Sequence, residues 1–145
     1  KTNVRVHYEQ QLNNNLSLKS RVEWVRYLYD DDVSNGLLMF QDVVYRFDAL
    51  PLKVYGRYAI FDTDTYDSRV YAYENDLLYV FSIPSYYYRG MRAYLMFKLD
   101  LGSKVDFWFR WGVWTYQNRD VISSGLEEID GSRKSDVKLQ LKIRL

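Results

Sequence analysis

The 145-residue sequence contains no cysteine, one histidine, two prolines and seven glycines. Without cysteine the chain has neither a disulfide framework nor a thiolate metal site. A single histidine argues against a histidine-based zinc site and against a catalytic triad. The scarcity of proline and glycine argues against disorder and low complexity.

The sequence also lacks a charge bias and long apolar runs. Twenty Lys and Arg residues against 19 Asp and Glu residues give a net charge of +1, so the overall charge does not indicate nucleic acid or an acidic partner. No run approaches the roughly 18 apolar residues of a membrane helix. The length fits one domain or a piece of a larger one. The chain begins at Lys1 with no signal-peptide pattern, and we expect a processed product or a fragment.

The dominant pattern is alternation of apolar and polar residues in seven long segments. Examples are the rows from Met91 to Leu101 and from Val105 to Val113. Alternation with period 2 predicts strands. Their length of about 9–14 residues exceeds the usual 5–6 and suits the roughly 9–11 residues with which a tilted strand crosses a bilayer. No segment has a helical period, so we predict no helix.

Short and long connections alternate between these segments. Residues 13–15, 48–51 and 102–103 read as tight turns, whereas 30–35, 62–90 and 118–134 read as longer connections. Short turns on one side and long loops on the other are typical of bacterial outer-membrane barrels. Residues 69–83 could hold an eighth strand. We expect them instead to extend above the membrane, because another crossing would place 118–134 on the opposite side from the other long loops.

The two faces of the predicted strands differ in charge. One face carries thirteen Lys and Arg residues against five acids, and the other is nearly free of charge. A soluble sandwich or ligand-binding barrel would bury the apolar face, whereas a membrane barrel turns it towards lipid. The 15 tyrosines and four tryptophans, several of them near strand ends, suit the membrane interface. We therefore predict an all-β, antiparallel, up-and-down transmembrane β-barrel.

The strand count predicts that this barrel is larger than the chain. Bacterial single-chain barrels have an even number of strands, and about seven are present here. Residues 1–145 are expected to form one barrel segment without a separate soluble domain, the C-terminal part of a larger barrel with a periplasmic C-terminus. Preceding strands from the same or another chain would close it, because open edges cannot face lipid.

Two loop phrases carry a family resemblance. Residues 66–76 read YDSRVYAYEND and residues 123–131 read SSGLEEIDG, ahead of a basic, alternating end strand. Together, over about residues 55–145, they resemble the C-terminal region of a family of Bacteroidota outer-membrane β-barrel proteins that often carry N-terminal helix-hairpin-helix modules. The resemblance implies an outer-membrane location and a barrel. It implies no activity, and this chain lacks the helix-hairpin-helix element.

The basic face is the main functional lead. We expect a lumen that favours anions, in a channel, transport or assembly component, with Arg57, Arg92 and Arg110 at mid-strand. The alternative is a structural, plugged lumen in which charges pair across strands. That would make a non-conducting docking barrel that binds partners through acidic, tyrosine-rich outer loops. The expected anion-facing residues are Arg5, Lys19, Arg21, Arg57, Arg92, Arg110, Lys138 and Lys142.

The loops offer two further candidate sites. Asp62, Asp64 and Asp67 are weak candidates for Ca²⁺, without the glycine turn and distal glutamate of an EF-hand; a solvated acidic surface is the simpler interpretation. Tyr86, Tyr87 and Tyr88 could form a surface for sugars or a partner protein, or an interfacial belt.

No enzymatic activity and no cofactor are predicted. The sequence has no G-x-S-x-G, P-loop or dinucleotide fingerprint. A Ser–His pair could use only His7, with Ser17 or Ser20 on the next strand. The expected partners are the lipid bilayer with its lipopolysaccharide, the missing barrel strands and an outer-membrane protein, but no nucleic acid.

Overall fold

Seven long strands make up most of the computed structural model, which describes residues 1–123 and 125–144. These strands contain 10 to 15 residues each. They are β1 (Thr2–Gln11), β2 (Leu16–Tyr29), β3 (Asp32–Arg46), β4 (Leu52–Thr63), β7 (Arg89–Leu101), β8 (Val105–Tyr116) and β11 (Arg133–Ile143). Across the described ranges, no helix has the length and apolarity that crossing a bilayer requires.

Short elements occupy the two long connections. Between β4 and β7 lie a 3-10 turn, Tyr66–Ser68, and the strands β5 (Val70–Tyr71) and β6 (Ser85–Tyr86). Between β8 and β11 lie β9 (Val121–Ile122), a second 3-10 turn, Gly125–Glu127, and β10 (Ile129–Asp130). Each pair of short strands forms a small antiparallel ladder of its own.

The long strands form one antiparallel meander in the order β1-β2-β3-β4-β7-β8-β11. Every long strand pairs with the long strand that follows it in the chain. The all-β antiparallel architecture predicted from the alternation is therefore confirmed. The sheet is open over residues 1–123 and 125–144, since β1 and β11 are each paired along one edge only.

The two faces of this sheet differ in polarity and in exposure. The apolar rows lie outward and exposed, as at Val6 (66% exposed) on β1 and Leu139 (63%) on β11. The opposite face buries charge, including Asp42, Arg57 and Arg110. Side chains at alternate positions of a strand lie on opposite faces. The alternation that predicted the strands therefore also separates the exposed apolar side chains from the buried charged ones.

One of the expected long connections is a tight turn. β2 ends at Tyr29 and β3 begins at Asp32, so only Asp30 and Asp31 join them. Asp30 has a φ of 49°, a left-handed conformation that aspartate tolerates better than most residues. The run of three aspartates is thus part of a hairpin, and the long loop predicted for 30–35 is wrong.

Residues 64–88, here called the plug segment, fold onto the charged face of the sheet. The expectation that this stretch extends above the membrane is wrong, and no long eighth strand forms there. The segment reaches from one edge of the sheet to the other: the Lys1 Nζ donates to the Asp67 carbonyl (3.0 Å), and the Gln140 Nε2 donates to the Leu78 carbonyl (3.2 Å). Its own ladder includes a bridge between Glu74 and Ser82.

A small apolar core holds the plug segment against the sheet near the long-connection end. Val70, Ala72 and Tyr86 of the segment are buried against Leu38 of β3 and Phe61 of β4. Full burial of such side chains stabilises by roughly 1.5–3 kcal/mol each. The segment is therefore a packed part of the fold.

Gly36 marks a point where the plug segment and β3 approach closely. A Cβ added at Gly36 would lie 2.1 Å from the Ser68 carbonyl oxygen, whereas one added at Gly56 would meet nothing closer than 3.8 Å. We expect Gly36→Ala to destabilise the protein by about 1–3 kcal/mol through overpacking, measured by urea unfolding in detergent micelles. Gly56→Ala is the matched control and should have little effect; equal unfolding midpoints for the two variants would contradict the close approach.

Candidate functional site

The structure places all eight predicted anion-facing residues on the same, inward face of the sheet. The strand register links them directly: Arg5 lies opposite Glu23, Lys19 opposite Asp42, and Arg110 opposite Lys138. Directly paired residues share a face. What these cations contact on that face depends on the plug segment.

Glu74 of the plug segment is the centre of the charged interior. Its carboxylate is 1% exposed. The Arg92 Nε donates to Glu74 Oε1 and the Arg92 Nη2 to Oε2, both at 3.1 Å. The Tyr86 hydroxyl donates to Oε1 at 2.7 Å, and the Arg110 Nη2 also donates to Oε2. Two guanidinium groups and a phenol thus satisfy one buried carboxylate.

Two more carboxylates complete this cluster. The Asp76 side chain is fully buried and accepts from the Lys138 Nζ at 2.6 Å. Asp136 on β11 accepts from the Nη1 atoms of Arg92 and Arg110, each at 3.1 Å. Three cations therefore face three carboxylates. We call these six residues the charge cluster: Glu74, Asp76, Arg92, Arg110, Asp136 and Lys138.

Neighbouring arginines are also paired. The Arg57 Nε and Nη2 donate to the two oxygens of Asp42 at 2.5 and 2.7 Å, and its guanidinium lies 3.8 Å from the Phe40 ring centre. Arg5 and Arg21 both donate to Glu23. A bidentate carboxylate contact together with ring stacking fixes a guanidinium in one orientation.

The excess of positive charge expected at mid-strand is therefore absent around Arg57, Arg92 and Arg110, because each has a carboxylate partner. Over the described parts of the chain, Lys19 and Lys142 are the two of the eight expected anion-facing residues that form no ion pair.

Backbone geometry fixes the position of Arg92. Gly112 of β8 lies beneath its guanidinium, and a Cβ there would be 2.6 Å from the Arg92 Nη1. The same guanidinium stacks 4.8 Å from the Trp114 ring. The Arg110 guanidinium lies 4.5 Å from the Tyr94 ring. These contacts hold both arginines in the orientation that reaches Glu74.

The pKa of Glu74 is lowered and the pKa of Tyr86 is raised. Burial alone would raise the pKa of Glu74, but the hydrogen bonds from Arg92 and Tyr86 and the charges of Arg92 and Arg110 outweigh it and hold that pKa below its usual value. Burial raises the pKa of Tyr86, and the charge of Glu74 adds to the rise. Tyr86 is therefore a neutral donor to an ionised Glu74.

The weak Ca²⁺ candidates are not brought together. Asp62 lies 3.4 Å from the Arg89 guanidinium, and Asp64 accepts from the Asn35 backbone N–H at 2.7 Å. Within residues 1–123 and 125–144, no group of three or more His, Cys, Asp or Glu residues could hold a metal ion. Asp62 thus takes part in a charge pair and Asp64 in a hydrogen bond to the main chain.

The tyrosine run divides between the interior and a loop cleft. Tyr86 is fully buried, so its inclusion in an exposed partner surface is wrong: an inward side chain bonded to Glu74 reaches neither a partner nor an interfacial belt. Tyr87 and Tyr88 are partly exposed in a cleft. Trp114 and Tyr116, two of the aromatic residues near a strand end, pack in the inner core.

The residues considered for catalysis are separated. His7 lies 4.0 Å from Glu9 on the polar face, whereas Ser20 lies on the apolar face and its hydroxyl donates to the Gln41 Oε1 at 2.5 Å. The structure thus forms no pair between His7 and Ser20.

Sequence reasoning missed Glu74, Asp76 and Asp136. The first two lie in a connection that was expected to leave the sheet. Asp136 was missed because β11 begins at Arg133, ahead of the obvious alternation from Val137. A usable signal was the charge balance: a strongly basic face in a chain of net charge +1 requires its counter-charges elsewhere in the same chain.

Comparisons with known proteins add no relative: no protein-family model, no curated protein and no solved structure matches this chain.

Acid should release the plug segment. Because the pKa of Glu74 is lowered by folding, its contribution is fully present above the ordinary glutamate pKa of about 4.3 and is lost as the pH falls through the lower folded value. We expect the amides of residues 70–86 to lose protection in hydrogen-exchange mass spectrometry as the pH is lowered, after correction for the intrinsic exchange rate.

Glu74→Gln tests the assignment of this pH dependence. The variant keeps the shape of the side chain but leaves two buried arginines without its charge, a change that costs about 3–5 kcal/mol when a buried pair is broken. Protection should be weak at neutral pH and nearly independent of acid. Glu128→Gln makes the same chemical change at an exposed residue and should behave as wild type; unchanged protection in Glu74→Gln would refute the role of Glu74.

Proposed function

We propose that this chain forms part of the wall of a bacterial outer-membrane β-barrel whose interior is filled by the plug segment, giving a structural or docking barrel and not an open channel. Strands elsewhere in the same protein or in another chain would pair with β1 and β11. Both strands have an unpaired edge, and an unpaired edge cannot face lipid.

The observation that carries this proposal is the inverted distribution of apolar and charged residues. Outward side chains on the long strands are mostly apolar and many of them are exposed. The buried charged side chains of the strands lie on the inward face: Arg21, Glu23, Asp42, Arg57, Arg92, Asp106 and Arg110. A contiguous apolar surface of this extent is rare on soluble monomers. It matches the lipid-facing band of a membrane barrel.

Polar groups on the outward face support the same environment. The Gln41 Nε2 donates to the carbonyl oxygens of Lys19 and Asp42 at 3.3 and 2.9 Å, and its Oε1 accepts from Ser20. This internal pairing avoids the free-energy cost of an unsatisfied amide in hydrocarbon. Near the turn at 47–51, Tyr45 and Phe47 are exposed and in edge-to-face contact at 4.8 Å, as suits an interfacial girdle.

The outer membrane, among membranes, is favoured by the barrel architecture and by the resemblance of residues 66–76 and 123–131 to the Bacteroidota barrel family. A non-conducting role is favoured by the charge cluster, in which loop carboxylates neutralise the arginines that an anion pathway would use. The exposed acidic residues of the loops remain available to a partner protein.

Two tryptophans on β8 provide a direct test. Trp111 faces outward and is 48% exposed, whereas Trp108 faces inward and is 5% exposed. In the full-length protein reconstituted with brominated phosphatidylcholine, we expect tryptophan fluorescence to be quenched. The quenched fraction should fall strongly in Trp24→Phe/Trp111→Phe, which removes the two outward tryptophans.

Trp108→Phe is the matched control for that experiment. It removes an inward ring from the same strand, so the quenched fraction should be kept or should rise. Loss of quenching in Trp108→Phe with retention in Trp24→Phe/Trp111→Phe would reverse the assignment of the faces. A protein that stays in solution without detergent or lipid would refute the membrane wall altogether.

A gated anion pathway is a second candidate function. Displacement of the plug segment would remove Glu74 and Asp76 from the charge cluster. Arg92, Arg110 and Lys138 would then face Asp136 alone, which leaves a net charge of +2 on this part of the wall. A positive constriction of low dielectric favours anions.

Planar-bilayer recordings distinguish the two functions. The wild-type protein should be insulating. Glu74→Gln/Asp76→Asn, which weakens the attachment of the plug segment, should give anion-selective conductance if the pathway exists. The exposed changes Asp120→Asn/Glu128→Gln are the control and should stay insulating. An insulating Glu74→Gln/Asp76→Asn variant would eliminate the channel and leave the structural barrel.

A further inference from the structure

A cleft of about 460 Å³ lies at the long-connection end of the molecule and is independent of the charge cluster. It is formed where both ends of the plug segment meet the start of the connection between β8 and β11. Its walls contain four tyrosines, one arginine, one serine and two aliphatic residues. They are Tyr66, Tyr87, Tyr88, Tyr116, Arg119, Val121, Ile122 and Ser123.

The tyrosine rings of the cleft form a continuous aromatic wall. Tyr66 and Tyr87 meet edge to face at 5.1 Å, and Tyr87 and Tyr88 are tilted at 4.6 Å between ring centres. Tyr88 continues the series to Tyr116 at 6.1 Å. Tyr66 is 52% exposed, so the wall is accessible from solvent.

The phenol groups along this wall have no hydrogen-bond partner among the residues that the structure describes. Hydrogen-bonded tyrosine hydroxyls in residues 1–123 and 125–144 belong to Tyr8, Tyr58, Tyr71, Tyr86 and Tyr94. The four cleft hydroxyls therefore remain available as donors and acceptors. A ligand that combines a hydrophobic face with several hydroxyl groups would satisfy them.

Arg119 adds one positive charge to the cleft. Its guanidinium carbon lies 3.8 Å from the Tyr88 ring centre, and it forms no ion pair with any residue that the structure describes. Stacking uses the flat face of the guanidinium and leaves its N–H edge free, the edge that binds a carboxylate with two parallel hydrogen bonds.

The backbone is strained at two residues of the cleft. Tyr88 has a φ of 68° and Ser123 a φ of 62°, left-handed values that are unusual for side chains other than glycine, asparagine and aspartate. Such conformations are energetically unfavourable and are concentrated at binding sites.

We propose that this cleft binds an acidic saccharide. The aromatic wall would stack on the C–H face of a pyranose ring, the phenols would bond to the sugar hydroxyls, and Arg119 would bind the carboxylate of a uronic acid unit. The volume suits one or two sugar rings. The inference does not depend on whether the sheet closes into a barrel.

Isothermal titration of the full-length protein in detergent with three probes tests the proposal. The probes are digalacturonate, the neutral galactose disaccharide and acetate. We expect digalacturonate to bind, the neutral disaccharide to bind about tenfold or more weakly because it lacks the charge-assisted hydrogen bonds, and acetate to give no measurable heat. The neutral disaccharide thus tests the sugar rings without the carboxylate, and acetate tests the carboxylate without the sugar rings.

Variants locate the binding. Arg119→Gln should weaken digalacturonate about tenfold, and Tyr66→Ala should weaken all sugar binding while Tyr66→Phe keeps the stacking. Arg133→Gln and Tyr79→Ala, at exposed residues outside the cleft, are the controls and should bind as wild type. Absence of digalacturonate binding, equal affinity for acetate or for the neutral disaccharide, or an unchanged affinity in Arg119→Gln would overturn the proposal.

Discussion

A carboxylate buried between two guanidinium groups determines the interior of this protein. Burial of Glu74 alone would be strongly unfavourable, as would burial of Arg92 or Arg110. Together they satisfy one another, with Tyr86 and Asp136 supplying the remaining contacts. Since Glu74 belongs to a connection and the arginines belong to strands, this interaction acts together with the apolar core around Val70, Ala72 and Tyr86 to fix where the 25 residues of the plug segment lie on the sheet.

The need to pair buried charges also accounts for the difference between the two faces of the sheet. Charges can be buried on the inward face because they pair there, and the outward face is then left to apolar residues. In water that outward face would favour association. In contact with hydrocarbon, the same face would expose few polar groups that need a hydrogen-bond partner. Even the polar side chains of Ser20 and Gln41 are hydrogen-bonded, to each other or to main-chain oxygens.

The sequence was sufficient for the strands and their faces, because period-2 alternation depends only on local geometry. The placement of Arg57, Arg92 and Arg110 on one inward face followed from it. The partners of these residues were not predictable in that way. Glu74 reaches Arg110 across 36 positions of sequence, and no local pattern encodes a contact between an irregular loop and a sheet. The prediction of a long loop after β2 was wrong for a related reason. An aspartate run is polar enough to suggest a long loop, yet Asp30 adopts the left-handed conformation of a tight hairpin turn.

The location of the last strand has a kinetic consequence. Asp136 and Lys138 belong to β11, the final strand of the meander, yet both contact the charge cluster that includes Glu74 and Asp76, made earlier in the chain. Neighbouring strands can assemble in chain order, but the hydrogen bonds from Arg92 and Arg110 to Asp136, and from Lys138 to Asp76, form only when β11 docks. A folding intermediate that lacks this strand holds arginine side chains with incomplete pairing, and arrival of the last hairpin is thereby coupled to completion of the whole interior.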